Sequence, residues 1–226
     1  PRRLQAIPLF ADILMTELED AVRAGFSAMK AFQDDMRKAG EALVADLMAS
    51  GQPGLVLAGH PYHVDPEVNH GVAELVTSCG MAVLTEDSVA HLMPDPGPLR
   101  VVDQWTYHSR LYRAGASVAG SGNIAVLQLI SFGCGLDAIT ADQLEEIVAR
   151  ENGLYAQIKI DEGDNLGPAR IRIRSLLAAM REKMAQKSRG KMEDMPPAPI
   201  FTEAMRDTHT ILIPQMSPIH FRFMET

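Results

Sequence analysis

The stretch that most narrows the choice of fold is Asn123 to Thr140, NIAVLQLISFGCGLDAIT. Ile124 to Ile130 is an apolar run broken only by Gln128, the pattern of a strand covered on both faces. It stops at Ser131-Phe132-Gly133-Cys134-Gly135, where Gly133 and Gly135 flank a cysteine. The backbone can turn sharply there and another group can come close to the sulfur. Thr140-Ala141-Asp142-Gln143 has the T-x-x-Q form of a capping box, which predicts a helix start. Strand, glycine-rich turn with a thiol, then helix is how an α/β protein presents a reactive group. A buried, inert cysteine in a tight turn is the plainer reading of the same residues.

The rest of the chain repeats the alternation. Residues from about Pro8 to Ala49 carry apolar side chains at helical spacing, and Gly25 is expected to divide them into two helices. Leu55 to Ala58 and Met81 to Leu84 read as short buried strands, and Leu154 to Ile160 as a fourth. After the first strand, Asp65 is placed to cap a helix that starts at Pro66, runs to Ser78 or Cys79 and stops at Gly80. Pro94-Asp95-Pro96-Gly97-Pro98 marks a surface excursion, followed by a helix bearing Trp105, Tyr107, Arg110 and Tyr112. Gly167-Pro168 opens a last helix reaching roughly Lys187.

These elements predict an open, mainly parallel twisted sheet with helices on both faces, Rossmann-like or flavodoxin-like, behind an N-terminal helical segment. The expected organisation is a helical segment over 1–50, an α/β domain over 51–187, and a linker with the start of a following domain or extra strand over 188–226. Ser188 to Pro199 is the expected linker and Thr210 to Ile213 the expected strand. Right-handed crossovers put every strand-to-helix turn along one edge, where such folds bind ligands. Four turns then share that rim: His60 to Asp65, Glu86 to Ser88, Ser131 to Gly135, and Asp161 to Asn165.

Composition limits the classes of function. A net charge of −8 argues against a nucleic-acid surface. No apolar run approaches the roughly 20 residues needed to span a bilayer. Cys79 and Cys134 are too few for a disulfide framework, so the chain reads as cytoplasmic. It begins without methionine and ends just after a fresh apolar run, and is therefore expected to be a piece of a longer protein.

Three chemistries suit the rim. Zinc would find nitrogen and sulfur ligands in His60-x-x-His63, His70 and Cys134. Nucleophilic catalysis would use Cys134 as thiolate, His60 or His63 as base, and Asp87 or Asp161 to orient the base. An iron–sulfur cluster would take Cys134 as a ligand but needs further cysteines from outside this chain. No G-x-G-x-x-G and no Walker-type phosphate loop occurs. The aromatic segment Trp105 to Tyr112, with Arg110 and Arg113, is open to reading as a contact surface or as core.

Longer motifs carry a resemblance. They are Gly59-His60-Pro61-Tyr62-His63 through Asp65-Pro66-Glu67-Val68-Asn69-His70-Gly71, and Leu84-Thr85-Glu86-Asp87-Ser88. To these are added Gln128 with Ser131-Phe132-Gly133-Cys134-Gly135-Leu136-Asp137-Ala138, Lys159-Ile160-Asp161-Glu162, and Arg170-Ile171-Arg172-Ile173-Arg174. Together they resemble the large activator-type relatives of 2-hydroxyacyl-CoA (2-hydroxyglutaryl-CoA) dehydratase, within their dehydratase-like region. The resemblance implies a parent chain in which ATPase domains drive an electron to low potential through cysteine-ligated iron–sulfur clusters. It implies Cys134 as a cluster ligand in the turn Gly133 to Gly135. His60, Tyr62, His63, Glu86, Asp87 and Asp161 would then surround it and tune its potential. The implied partners are the ATPase domains of the same parent chain, a dehydratase or an acyl-CoA substrate, and a second copy in a homodimer. This chain is expected to hold no complete cluster and to be inactive alone. The competing class is a non-catalytic α/β module that docks an acyl-CoA or a partner subunit.

Overall fold

The structure, a computed structural model, describes residues 1–131, 133–160, 166–185 and 202–210. Backbone contacts divide the chain into one unit over Pro1–Asp194 and another over Met195–Thr226. In the second, the described residues hold a single 3-10 turn, Glu203–Met205. The expected linker Ser188 to Pro199, the strand at Thr210 to Ile213 beyond Thr210, and the turn Asp161 to Asn165 lie outside the described residues.

The first unit begins with a short helix, α1 (Arg2–Gln5), and a 3-10 turn, Pro8–Phe10. Helix α2 (Met15–Ser50) follows and runs about 54 Å. The expected break at Gly25 is absent. A glycine lowers helix stability by about 1 kcal/mol but breaks nothing unless a cap or proline accompanies it. Ion pairs one turn apart (Arg23–Asp20, Lys30–Asp34) flank the glycine and support the backbone. The helix ends where Gly51 turns left-handed, at φ 68°.

Strand β1 (Gly54–Ala58) leads to a 3-10 turn, Pro61–Val64, and then α3 (Pro66–Asn69) and α4 (Val72–Ser78). Asp65 caps α3 as expected, its carboxylate accepting from the Glu67 N–H at 2.9 Å. The single helix expected from Pro66 to Ser78 is cut in two. His70 and Gly71 both take positive φ, 53° and 80°, and the Asn69 amide oxygen accepts from the N–H groups of Gly71 and Val72 to start α4. Strand β2 (Ala82–Thr85) and α5 (Glu86–Val89) precede the proline-rich excursion. After it come α6 (Thr106–Val118), β3 (Ile124–Ser131), α7 (Gly135–Arg150), β4 (Tyr155–Ile160) and α8 (Gly167–Ala185).

All four strands pair in parallel in the order β2-β1-β3-β4. The chain steps from β1 to β2 in one direction and afterwards in the other. A fixed crossover hand therefore sends the connecting helices to opposite faces. α4 packs with α8 under Leu55, Leu57, Ala125, Leu127, Leu129 and Ile158. α5, α6, α7 and the C-terminal end of α2 cover Val56, Ala58, Leu84, Ile124 and Val126 on the other face. Alternate residues of one strand thus feed two separate cores. Gln128, the polar residue inside the apolar run of β3, accepts from the Tyr155 hydroxyl at 2.9 Å and is buried with that partner in place.

α7 starts at Gly135 with Cys134 as its N-cap, not at Thr140. Thr140 is interior to the helix, its hydroxyl turned back to the Asp137 carbonyl at 3.2 Å. Gln143 reaches sideways, its Oε1 accepting from the Arg100 N–H at 2.6 Å. Both polar side chains of the expected capping box are thus spent elsewhere. Glu146 and Arg150 extend this seam, pairing with each other and with Arg100 and the Pro98 carbonyl. The seam pins the excursion to α7.

Candidate functional site

Because the chain leaves β1 and β3 in different directions, a crevice opens at their carboxyl ends, the place where open α/β sheets bind ligands. The turn after β1 brings His60, Tyr62 and His63 to it, and the turn after β3 brings Ser131, Cys134 and Asp137. Gly59 makes the close approach possible. A Cβ on it would stand 2.5 Å from the His63 ring and 3.0 Å from the Leu129 carbonyl oxygen.

His60 is the hub. Its Nε2 lies 2.6 Å from Asp137 Oδ1, and the other oxygen of Asp137 accepts from the Ser131 N–H at 2.6 Å. The His60 backbone N–H donates to His63 Nδ1 at 3.0 Å, which places the proton of His63 on Nε2. The Tyr62 ring stacks on the imidazole of His60 at 4.9 Å, and Tyr107, from the first turn of α6, tilts against it at 4.8 Å. The Tyr62 hydroxyl meets the Ser131 hydroxyl at 3.2 Å. Cys134 is partly exposed, and one ligating atom from each of Cys134, His60 and Asp137 lies within 4.8 Å of the others.

The surroundings set charge states. Burial chiefly, and then repulsion from His60, hold His63 down to about 4, with Asp137 opposing, so His63 is neutral at physiological pH. Burial raises Tyr107, and Asp137, Cys134 and Tyr62 add to the rise, so its phenol keeps its proton.

Sequence reasoning named His60, Tyr62, His63 and Cys134, and the structure brings these together with Gly133 and Gly135 beside the thiol. It did not single out Asp137, Ser131 or Tyr107. Asp137 is visible as an acid three residues after the thiol, but only the early start of α7 puts it on the crevice side. Glu86 and Asp87 go elsewhere: Glu86 pairs with Arg110 at 3.2 Å and Asp87 accepts from the Thr85 hydroxyl at 2.6 Å. Asp161 lies outside the described residues. The zinc set expected from His60, His63, His70 and Cys134 is only partly assembled among the described residues, with His60 and Cys134 together. His63 Nδ1 is occupied by backbone, and the donors that converge are one imidazole, one thiol and one carboxylate. Those same groups make a thiol–imidazole–carboxylate array with Asp137 in the orienting position, in place of Asp87 or Asp161.

Iron–sulfur clusters are held by several thiolates. Here Cys79 sits at the C-terminal end of α4, against the core under α8 and beside Arg170 and Arg174. The chain's two cysteines therefore belong to different parts of the molecule. This donor set fits one corner of a cluster and not a whole one.

Residues 3–89 match the family described as the CoA enzyme activase uncharacterised domain. That match relates the chain to CoA enzyme activators. It spans α1 through α5, and so includes His60, Tyr62, His63, Glu86 and Asp87 but neither Cys134 nor Asp137. No curated protein and no solved structure matches the chain. No described helix is long and apolar enough to cross a membrane.

Proposed function

We propose that this chain is a module of an ATP-coupled, iron–sulfur-dependent electron-transfer protein of the 2-hydroxyacyl-CoA dehydratase activator type, and that Cys134 is its contribution to a cluster. The observation that carries the reading is the match of residues 3–89 to a CoA enzyme activase domain. The partly exposed thiol at the sheet's switch point supports it. When bound, a cluster supplies one-electron chemistry at low potential. The chain's own residues have simpler tasks. Cys134 presents one sulfur at the rim, and the carboxylate of Asp137 fixes the His60 ring beside it. Tyr62 and Tyr107 pack against that ring and hold its orientation. The remaining thiolates come from other parts of the parent chain or from a second copy. ATP hydrolysis belongs to separate domains of the parent.

The test is iron and sulfide counting, with visible absorption, on the full-length parent purified without oxygen. Cys134→Ser is expected to lose iron and the charge-transfer bands, while Cys79→Ser keeps both. An unchanged iron content in Cys134→Ser removes this thiol from the ligand set.

A further inference from the structure

The two long exposed helices of the first unit treat their cations differently. On α2 each cation pairs with an acid one turn away: Arg23 with Asp20, Lys30 and Arg37 with Asp34, Lys38 with Asp35. α8 carries Arg170, Arg172, Arg174, Arg181 and Lys183 against a single acid, Glu182. Arg170, Arg174 and Arg181 are exposed and have no acid three or four residues away. Nor do they have a hydrogen-bond or ion-pair partner among the described residues. In a chain of net charge −8 they form a local excess of positive charge that the fold itself does not use.

These three arginines follow one another at steps of four and seven residues, which keeps them on one face of the helix. They line a groove of about 430 Å³ between α8 and α4, and no acid lines it among the described residues. Leu75 and Leu177 give the groove an apolar lining, and Cys79 stands at its edge where α4 ends. At 1.5 Å per residue the row of arginines is about 16 Å long, so no single phosphate or carboxylate reaches all of it. The net charge opposes a nucleic acid. The concavity between two helices suits a third helix laid along it better than a flat bilayer. We propose that this groove docks an acidic amphipathic helix of a partner protein. Its apolar side chains lie on Leu75 and Leu177, and its carboxylates pair with Arg170, Arg174 and Arg181. The proposal does not draw on Cys134, and its failure would leave the cluster reading untouched.

The probe is a fluorescein-labelled helical peptide with glutamates spaced to match the three arginines and leucines on the adjoining face. Its anisotropy is followed as the 226-residue chain is added at low salt. Saturable binding at sub-millimolar concentration is expected, and at least tenfold weaker binding when glutamine replaces the glutamates. Arg174→Glu is expected to weaken binding at least tenfold, and a peptide with lysine at the facing position to restore it. Arg172→Glu, exposed but outside the groove, is expected to bind within twofold of wild type. In a Cys134→Ser protein Cys79 is the only thiol, and bound peptide should slow its alkylation at least threefold. A glutamine peptide that binds as well as the acidic one overturns the proposal. So does an Arg172→Glu loss equal to that of Arg174→Glu, an unchanged alkylation rate, or displacement by pyrophosphate at the peptide's own concentration. Sedimentation showing a dimer that Arg174→Glu abolishes would make the occupant a second copy, and would overturn it too.

Discussion

Removing the carboxylate of Glu86 should stabilise this protein at alkaline pH, although that carboxylate is paired with an arginine. Glu86 is 2% exposed, and burial raises it to about 7 against the pull of Arg110. A group whose folded pKa is raised contributes stability that is complete below its unfolded value, here 4.5, and lost as pH climbs through 7. At about 1.4 kcal/mol per unit, ionising Glu86 in place costs the wild type about 3 kcal/mol by pH 8. Glu86→Gln imitates the neutral form at every pH. The two proteins should therefore unfold at the same urea concentration near pH 4, and the variant should become the more stable by about 3 kcal/mol near pH 8. The comparison must be a difference, because His63 acts in the opposite sense. Its folded pKa of about 4 lies below the usual 6.5, so its contribution is present above pH 6.5 and lost as pH falls toward 4. Across most of the acid range the two slopes cancel in the wild type, and they separate only on subtraction. Urea titrations followed by circular dichroism at half-unit pH steps supply the data. A wild-type-minus-variant difference that stays flat from pH 4 to 8 would refute the reasoning.

Four further outcomes follow from the same geometry. His63→Gln should remove the acid-side loss and leave the Glu86 slope uncompensated, so that stability rises as pH falls from 6.5 toward 4.5, an effect on the order of 2 kcal/mol seen in the same titrations. Gly40→Ala should destabilise by more than an ordinary helix substitution, since its Cβ would stand 2.2 Å from the Ser88 carbonyl oxygen; a thermal melt showing no loss would contradict that packing. Tyr155→Phe leaves the buried Gln128 Oε1 without its donor and should cost about 1–3 kcal/mol in urea unfolding, with the fold retained by circular dichroism. Leu127→Ala, at a fully buried position in the middle of the sheet, should cost about 2–5 kcal/mol by the same assay.

The sheet was legible because its central strands are buried on both faces, and apolar runs such as Leu55 to Ala58, and Ile124 to Ile130 with Gln128 alone breaking it, leave few alternatives. Helix ends were less so. Gly25 reads as a breaker, yet it lies on a solvent-facing stretch where a small propensity loss is absorbed by its neighbours. Thr140 and Gln143 fit a capping box by spacing, but the Thr140 hydroxyl turns back onto its own helix and Gln143 is taken by the Arg100 backbone, a tertiary partner that no local pattern reveals. That displacement also hid Asp137, which becomes a first-turn residue only once α7 begins at Gly135. His60 and Cys134 could be placed on one rim from topology. That Glu86 turns away from them toward Arg110 depends on how α6 packs, which lies beyond any sequence period.

α7 carries the thiol at its tip, while the seam along its flank through Gln143, Glu146 and Arg150 ties down the backbone at Pro98 and Arg100, upstream of Trp105. A sixteen-residue helix tilts as a rod more readily than it bends. Anything that seizes the sulfur end would therefore move the stitched loop with it, and the indole five residues beyond Arg100 would register the displacement as a change in its emission.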